Sequence, residues 1–252
     1  MFENAQALSR DAHANLRLTN AGYGFARSEN FCPIVMEELA SAVREYLIVF
    51  PNNDTALPHA LLGVRDKENL YVDPEGRWRG SYIPAHYRRY PFVLGRAEGA
   101  EQGAENFTVA VDANAPQLST QEGEPLFTAE GEPSELLQHQ IKFLRALQQQ
   151  LHRTQAAVRE LESLDLFDNQ QLDVQHEGQP VAKISGLRMV SEERFKALNA
   201  ENLARLRDSG ALDLVYAHLF SRTNLRLGLL AQHTQKPAQQ PAPEMASTFS
   251  FH

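Results

Sequence analysis

One cysteine, Cys32, is all the chain has, so no internal disulfide and no cysteine-rich metal site can form. A reducing compartment suits that economy, and the cytoplasm is the simplest expectation. The first residues, MFENAQALSRDAHANLRL, lack a basic stretch leading into an apolar one, and no apolar run is long enough to span a bilayer. No membrane span is expected, although export by a signal without a simple motif stays compatible with the sequence. Basic residues are outnumbered, 24 against 32 acids for a net charge of −8. A phosphate polymer is therefore repelled on average, and no nucleic-acid partner is expected. Catalytic signatures are missing too: there is no GxSxG elbow, no Walker loop and no HExxH. The nine histidines are scattered, and the two in the Gln-rich stretch, His139 and His152, are not the three or four residues apart that would share a metal. GYGFAR starts like a dinucleotide loop but has Arg27 where a third glycine belongs, which favours a plain turn. The reading therefore names no catalytic residue, no metal and no cofactor.

What is present is enough for a sizeable core, since 42% of the 252 residues are hydrophobic. PIVMEELASAVREYLIVFP predicts a helix opened by Pro33 and running to about Arg44, then an apolar strand ended by Pro51. HALLGV and NLYV around RDKEN predict one hairpin, and DPEG predicts a type I turn joining NLYV to a strand RWRGSYI. PFVLGRAE and ENFTVAVDA predict another pair. From Ser134 the period changes. Leu137, Ile141, Leu144, Leu147, Leu151, Thr154, Val158 and Leu161 recur at steps of three and four, which predicts one long amphipathic helix capped by Ser134. A last hairpin turns at Glu177 to Gln179. Ser191 then caps a helix to about Asp208, Gly210 ends it, and ALDLVYAHLFSRTNLRLGLLA is the final helix. The fold class is α+β, a mostly antiparallel sheet of hairpins packed against one long and two C-terminal helices. One domain is expected over residues 1–233, strand-rich in 13–130 and helix-rich in 131–233, with a disordered Pro/Gln/Ala tail over 234–252.

Chemistry concentrates in RWRGSYIPAHYRRYPF, Arg77 to Phe92. It holds the only tryptophan, three tyrosines and four arginines, and no acid. Strand alternation puts Arg77, Arg79, Ser81 and Ile83 on one face and Trp78, Gly80 and Tyr82 on the other. Aromatic rings bury readily and arginine does not unless paired, so such a segment divides between core and surface. Trp78 and Tyr90 are expected inside. The candidate binding residues are Arg79, His86, Tyr87, Arg88 and Arg89, with Arg88 and Arg89 gripping an acidic ligand, peptide or protein by bidentate hydrogen bonds. Cys32, beside Phe31, Pro33 and Ile34, reads as a small buried hydrophobe. An enzyme site around Trp78, His86, Tyr87 and Arg89 is the alternative.

NLYVDPEGRWRGSYIPAHYRRYPFVL resembles the hallmark of the SapC family of bacterial proteins. The likeness continues through EYLIVFP, LLGV, EGEPLFTAEGEPSELL, ISGLRMVSEERFKAL and LRDSGALDLVYAHLFS, with Leu47 where the family more often has proline. The resemblance implies a link to bacterial surface layers or transport, and offers no active residues to carry over. It implies a soluble accessory or interaction protein, or alternatively an exported surface-layer subunit.

Overall fold

LIVFP is apolar at every position, and in the computed structural model both faces of that strand are covered. The structure describes residues 1–96, 107–176 and 179–230. Leu47 and Val49 pack with Leu61, Ile184 and Leu187 on one side, while Ile48 and Phe50 pack with Val158, Leu161, Leu214 and Val215 on the other. Around this strand the elements follow in order. The front half contains β1 (Ala5–Ala7), α1 (Arg10–His13), β2 (Arg17–Leu18), β3 (Phe31–Pro33), α2 (Leu39–Ala42), β4 (Leu47–Pro51), β5 (His59–Leu61) and α3 (Ala85–Arg88). Then come β6 (Phe92–Arg96), β7 (Phe107–Asp112), β8 (Leu118–Ser119), β9 (Glu124–Pro125), α4 (Glu135–Ser163), β10 (Phe167–His176) and β11 (Gln179–Val190). The chain continues with α5 (Glu192–Lys196), α6 (Ala200–Ser209), α7 (Ala211–Ser221) and α8 (Asn224–Leu227).

The described strands form three antiparallel sheets, β1-β7-β6, β10-β11-β4-β5-β3 and β8-β2-β9, so the α+β expectation holds. The β6–β7 pair expected from the sequence is present, Phe92 opposite Val111 through Arg96 opposite Phe107. So is the β10–β11 hairpin, although its turn residues Glu177 and Gly178 lie outside the described residues, as does the whole 234–252 segment expected to be disordered.

Other elements differ. Pro33 ends strand β3 and does not open a helix. The helical turn begins at Met36, and its start is closed by Glu38, whose side chain accepts from Val35 N at 2.9 Å. HALLGV does not form a hairpin with NLYV, because β5 is flanked by β3 and β4 and has no free edge to offer. DPEG makes the expected turn, Gly76 N donating to the Asp73 carbonyl at 3.0 Å, but RWRGSYI forms only a single bridge, Trp78 opposite Val72. The helix expected from Ser191 to Asp208 is two, because Asn199 caps a new one, accepting from Asn202 N at 2.8 Å. Gly210, at φ 77°, ends α6 in the left-handed region that glycine tolerates.

Helix α4 is the spine. Ser134 caps it, accepting from Leu137 N. Leu137 and Leu144 pack on Phe92, Val111 and Leu126, Leu147 meets Val35 and Ala85, and Ala157, Val158 and Leu161 enter the main core. Helix α7 is pinned to β4 by two side chains one turn apart. Ile48 N donates to Ser221 Oγ at 3.0 Å, and His218 Nδ1 donates to the Ile48 carbonyl at 2.7 Å.

Candidate ligand site

Residues 80–84 join no strand ladder, and carboxylates accept from the backbone there and at Ala85. Glu45 Oε1 accepts from Ser81 N at 2.6 Å and from the Ser81 hydroxyl. Gly80 leaves room for this contact, since a Cβ there would make the Glu45 carboxylate shift and would lie 3.0 Å from Trp78 Nε1. Glu38 does the same for the next turn. Its Oε1 accepts from Ala85 N at 2.7 Å and from the Tyr82 hydroxyl at 2.8 Å. Burial raises the pKa of Glu38, while those bonds and the nearby Arg88 pull against the rise.

Behind this loop the rings form a continuous row. Tyr71 stacks on Trp78 at 5.8 Å, Trp78 meets Tyr87 at 5.6 Å, Phe25 meets Tyr87 at 6.0 Å and stacks on Tyr90 at 4.2 Å. Such contacts each add to area burial. The alternation expected of a strand survives without one as far as Tyr82, with Arg77, Arg79 and Ser81 exposed and Trp78, Gly80 and Tyr82 partly buried, and it fails at Ile83, which is partly buried against the core. Trp78 and Tyr90, expected inside, are only partly buried. The rings that are fully inside are Tyr87, 2% exposed, and Phe92, 1% exposed, with Tyr71 of the neighbouring turn at 1%.

The five candidate residues fall in three places. Arg88 lies exposed on the outer face. Its guanidinium carbon is 5.7 Å from the Tyr82 ring centre and 5.3 Å from that of Phe143. Its Nε donates to the Ile83 carbonyl at 3.0 Å and its Nη2 to the Tyr82 hydroxyl at 3.2 Å, leaving Nη1 without a partner among the described residues. His86, Tyr87 and Arg89 turn inward. Burial, then the neighbouring Arg89 and His59, push the His86 pKa down to about 3. The Tyr87 hydroxyl lies beside the Cys32 thiol, and burial raises the pKa of both groups far above neutrality. Arg89 is half-buried, not exposed like Arg88. Its guanidinium lies 5.2 Å from the Phe2 ring, and its buried Nε has no hydrogen-bond partner among the described residues.

Arg79 stands apart from the other four. It lines a cleft of about 290 Å³ with Arg44, Glu45, Tyr71 and Ser81 on one side and residues 227–229 on the other. Sequence reasoning missed Glu38, Arg44, Glu45 and Asn224. Only one of them carried a local signal, an acid in the first turn of MEEL, and the rest act across the fold.

Among the described residues no group of three or more His, Cys, Asp or Glu could hold a metal, and no helix is long and apolar enough to cross a membrane. Comparison with curated proteins found no match, and comparison with solved structures found none either. The SapC family model matches residues 8–227. With nearly the whole chain inside that match, and the Arg77–Phe92 segment within it, the chain belongs to the SapC family.

Proposed function

We propose that this chain is a non-enzymatic accessory protein of the cytoplasm that binds an acidic segment of a partner protein or peptide, in a process linked to bacterial surface layers or transport. The observation that carries the reading is Arg88. Two of its N–H donors and two flanking rings hold the guanidinium in place, it is exposed, and no carboxylate of the described residues lies within ion-pair distance. A preorganised guanidinium with donors to spare suits a carboxylate, because little side-chain entropy is lost when the second pair of bonds forms.

The enzymatic alternative around Trp78, His86, Tyr87 and Arg89 has less behind it. His86 titrates near 3, while burial keeps the Tyr87 phenol and Cys32 thiol protonated, so these groups are not tuned to exchange a proton near neutrality.

Fluorescence anisotropy with a labelled Glu-rich peptide tests the proposal. Wild-type protein is expected to bind with a salt-sensitive Kd, and Arg88→Ala to weaken binding by about tenfold, the scale of one charge-assisted contact. Equal binding by Arg88→Ala, with circular dichroism showing it folded, would sink the reading.

A further inference from the structure

The cleft beside Arg79 is built independently of the Arg88 face. Both of its walls are tied to one short segment, residues 43–46. On one side Glu45 holds Ser81, and the Tyr71 hydroxyl donates to the Glu45 carbonyl at 2.8 Å. On the other, Asn224 is 6% exposed and its Nδ2 donates to the carbonyls of Val43 and Tyr46, at 2.9 Å each. Gly228 approaches so closely that a Cβ there would lie 3.3 Å from the Glu45 carbonyl oxygen. Walls that share an anchor are in place before a ligand arrives, so little ordering is left for binding to supply.

The lining has a charged part and an apolar part. Arg44 and Arg79 are both exposed, and neither lies within ion-pair distance of a carboxylate among the described residues. Arg79 commits Nη1 to the Leu70 carbonyl at 3.2 Å. Glu45, the only acid among the described residues of the lining, has one oxygen engaged by Ser81 and the other buried. Two cations therefore face the opening of a chain whose net charge is −8. Leu227, 82% exposed, stands at the same cleft with Leu229. Covering such a side chain is favourable by about 25 cal/mol per Å² of apolar surface removed from water.

We infer that this cleft binds a small organic anion, a carboxylate or phosphate head on an apolar body of a few carbons. The head bridges Arg44 and Arg79, and the body covers Leu227. The volume of about 290 Å³ is at the lower end for ligand pockets and limits the occupant to that size.

Isothermal titration calorimetry of the full chain tests this with phenyl phosphate and phenylacetate, and with inorganic phosphate and acetate as heads without a body. At least one aromatic anion is expected to bind several-fold more tightly than its bare head, and which one binds identifies the head group. Arg44→Ala with Arg79→Ala should weaken it by about tenfold or more, with the melting temperature unchanged. Arg88→Ala should leave it intact, which separates this site from the peptide-binding face. Amide shifts in a nuclear magnetic resonance titration of wild-type protein should centre on residues 79–81 and 227–229, a readout independent of any variant. No binding of either aromatic anion, full binding by the double variant, or shifts centred elsewhere would each overturn the inference. A bare head that binds as tightly as the aromatic anion overturns the part assigned to Leu227.

Discussion

Glu38 is 5% exposed and accepts from Val35 N, Ala85 N and the Tyr82 hydroxyl. It therefore joins the Met36 turn to α3, and Tyr82 passes the link to Arg88. Glu38→Ala leaves two buried amides without an acceptor and should cost about 3 kcal/mol. Urea denaturation checks this, with Glu38→Gln, which restores one acceptor oxygen, expected to fall between the two. His218 carries a second residue-scale expectation. Burial lowers its pKa to about 4, its backbone bond to Ile48 acting the other way. A folded pKa below the unfolded value near 6.5 means that the stability is fully present above pH 6.5 and is lost as pH falls through about 4. From pH 7.5 to 5.0 the loss from this residue should be about 2 kcal/mol. His218→Asn, which keeps a donor for the Ile48 carbonyl and cannot titrate, should show a drop smaller by about that amount. An unchanged pH dependence in the variant would rule His218 out as its source.

At the scale of elements, α4 and α7 show two different uses of an apolar residue. Leu144 is 2% exposed, inside the cluster of Phe92, Val111 and Leu126. Leu144→Asp should unfold the protein, because an unpaired carboxylate in that core costs several kcal/mol, and circular dichroism of the purified variant is the check. Phe220 is 64% exposed and stacks on Tyr216, at 5.9 Å. Phe220→Glu should change stability by no more than about 0.5 kcal/mol, measured by thermal melting. Both residues are apolar and both lie on helices, and what differs is the neighbour each helix meets. The stripe on α4 was legible because twenty-nine residues of unbroken period leave little room for another reading. The short elements were not. Pro33 fits a first helical position and the end of an extended strand equally well, since its ring fixes φ without choosing between them.

For the whole molecule, acid should unfold the protein progressively below pH 6.5. Burial lowers the pKa of His59 and His86 in the same direction as His218, so each adds stability that is lost on acidification. Glu38 opposes them: burial raises its pKa, so its protonation favours the folded state as pH falls. Five carboxylates with lowered pKa values, Glu68, Asp73, Asp112, Glu130 and Glu192, act with the three histidines at the acid end, so the net slope is downward, which a series of urea midpoints from pH 8 to pH 4 would show. The sequence alone determined what depends on the nearest few residues. It determined the α+β class, the β6–β7 and β10–β11 pairs, the long helix with its Ser134 cap, the DPEG turn, and the alternate exposure of residues 77 to 82, because periodicity, caps and turn residues act over a few bonds. Only the tertiary structure decided that β5 lies between β3 and β4. It alone sent the five candidate residues to three places, and it alone brought Arg44 and Arg79 to one cleft through Glu45 and Asn224. Those outcomes depend on which buried carboxylate or amide lies within about 3 Å of a backbone group dozens of residues away, and no local pattern records that distance.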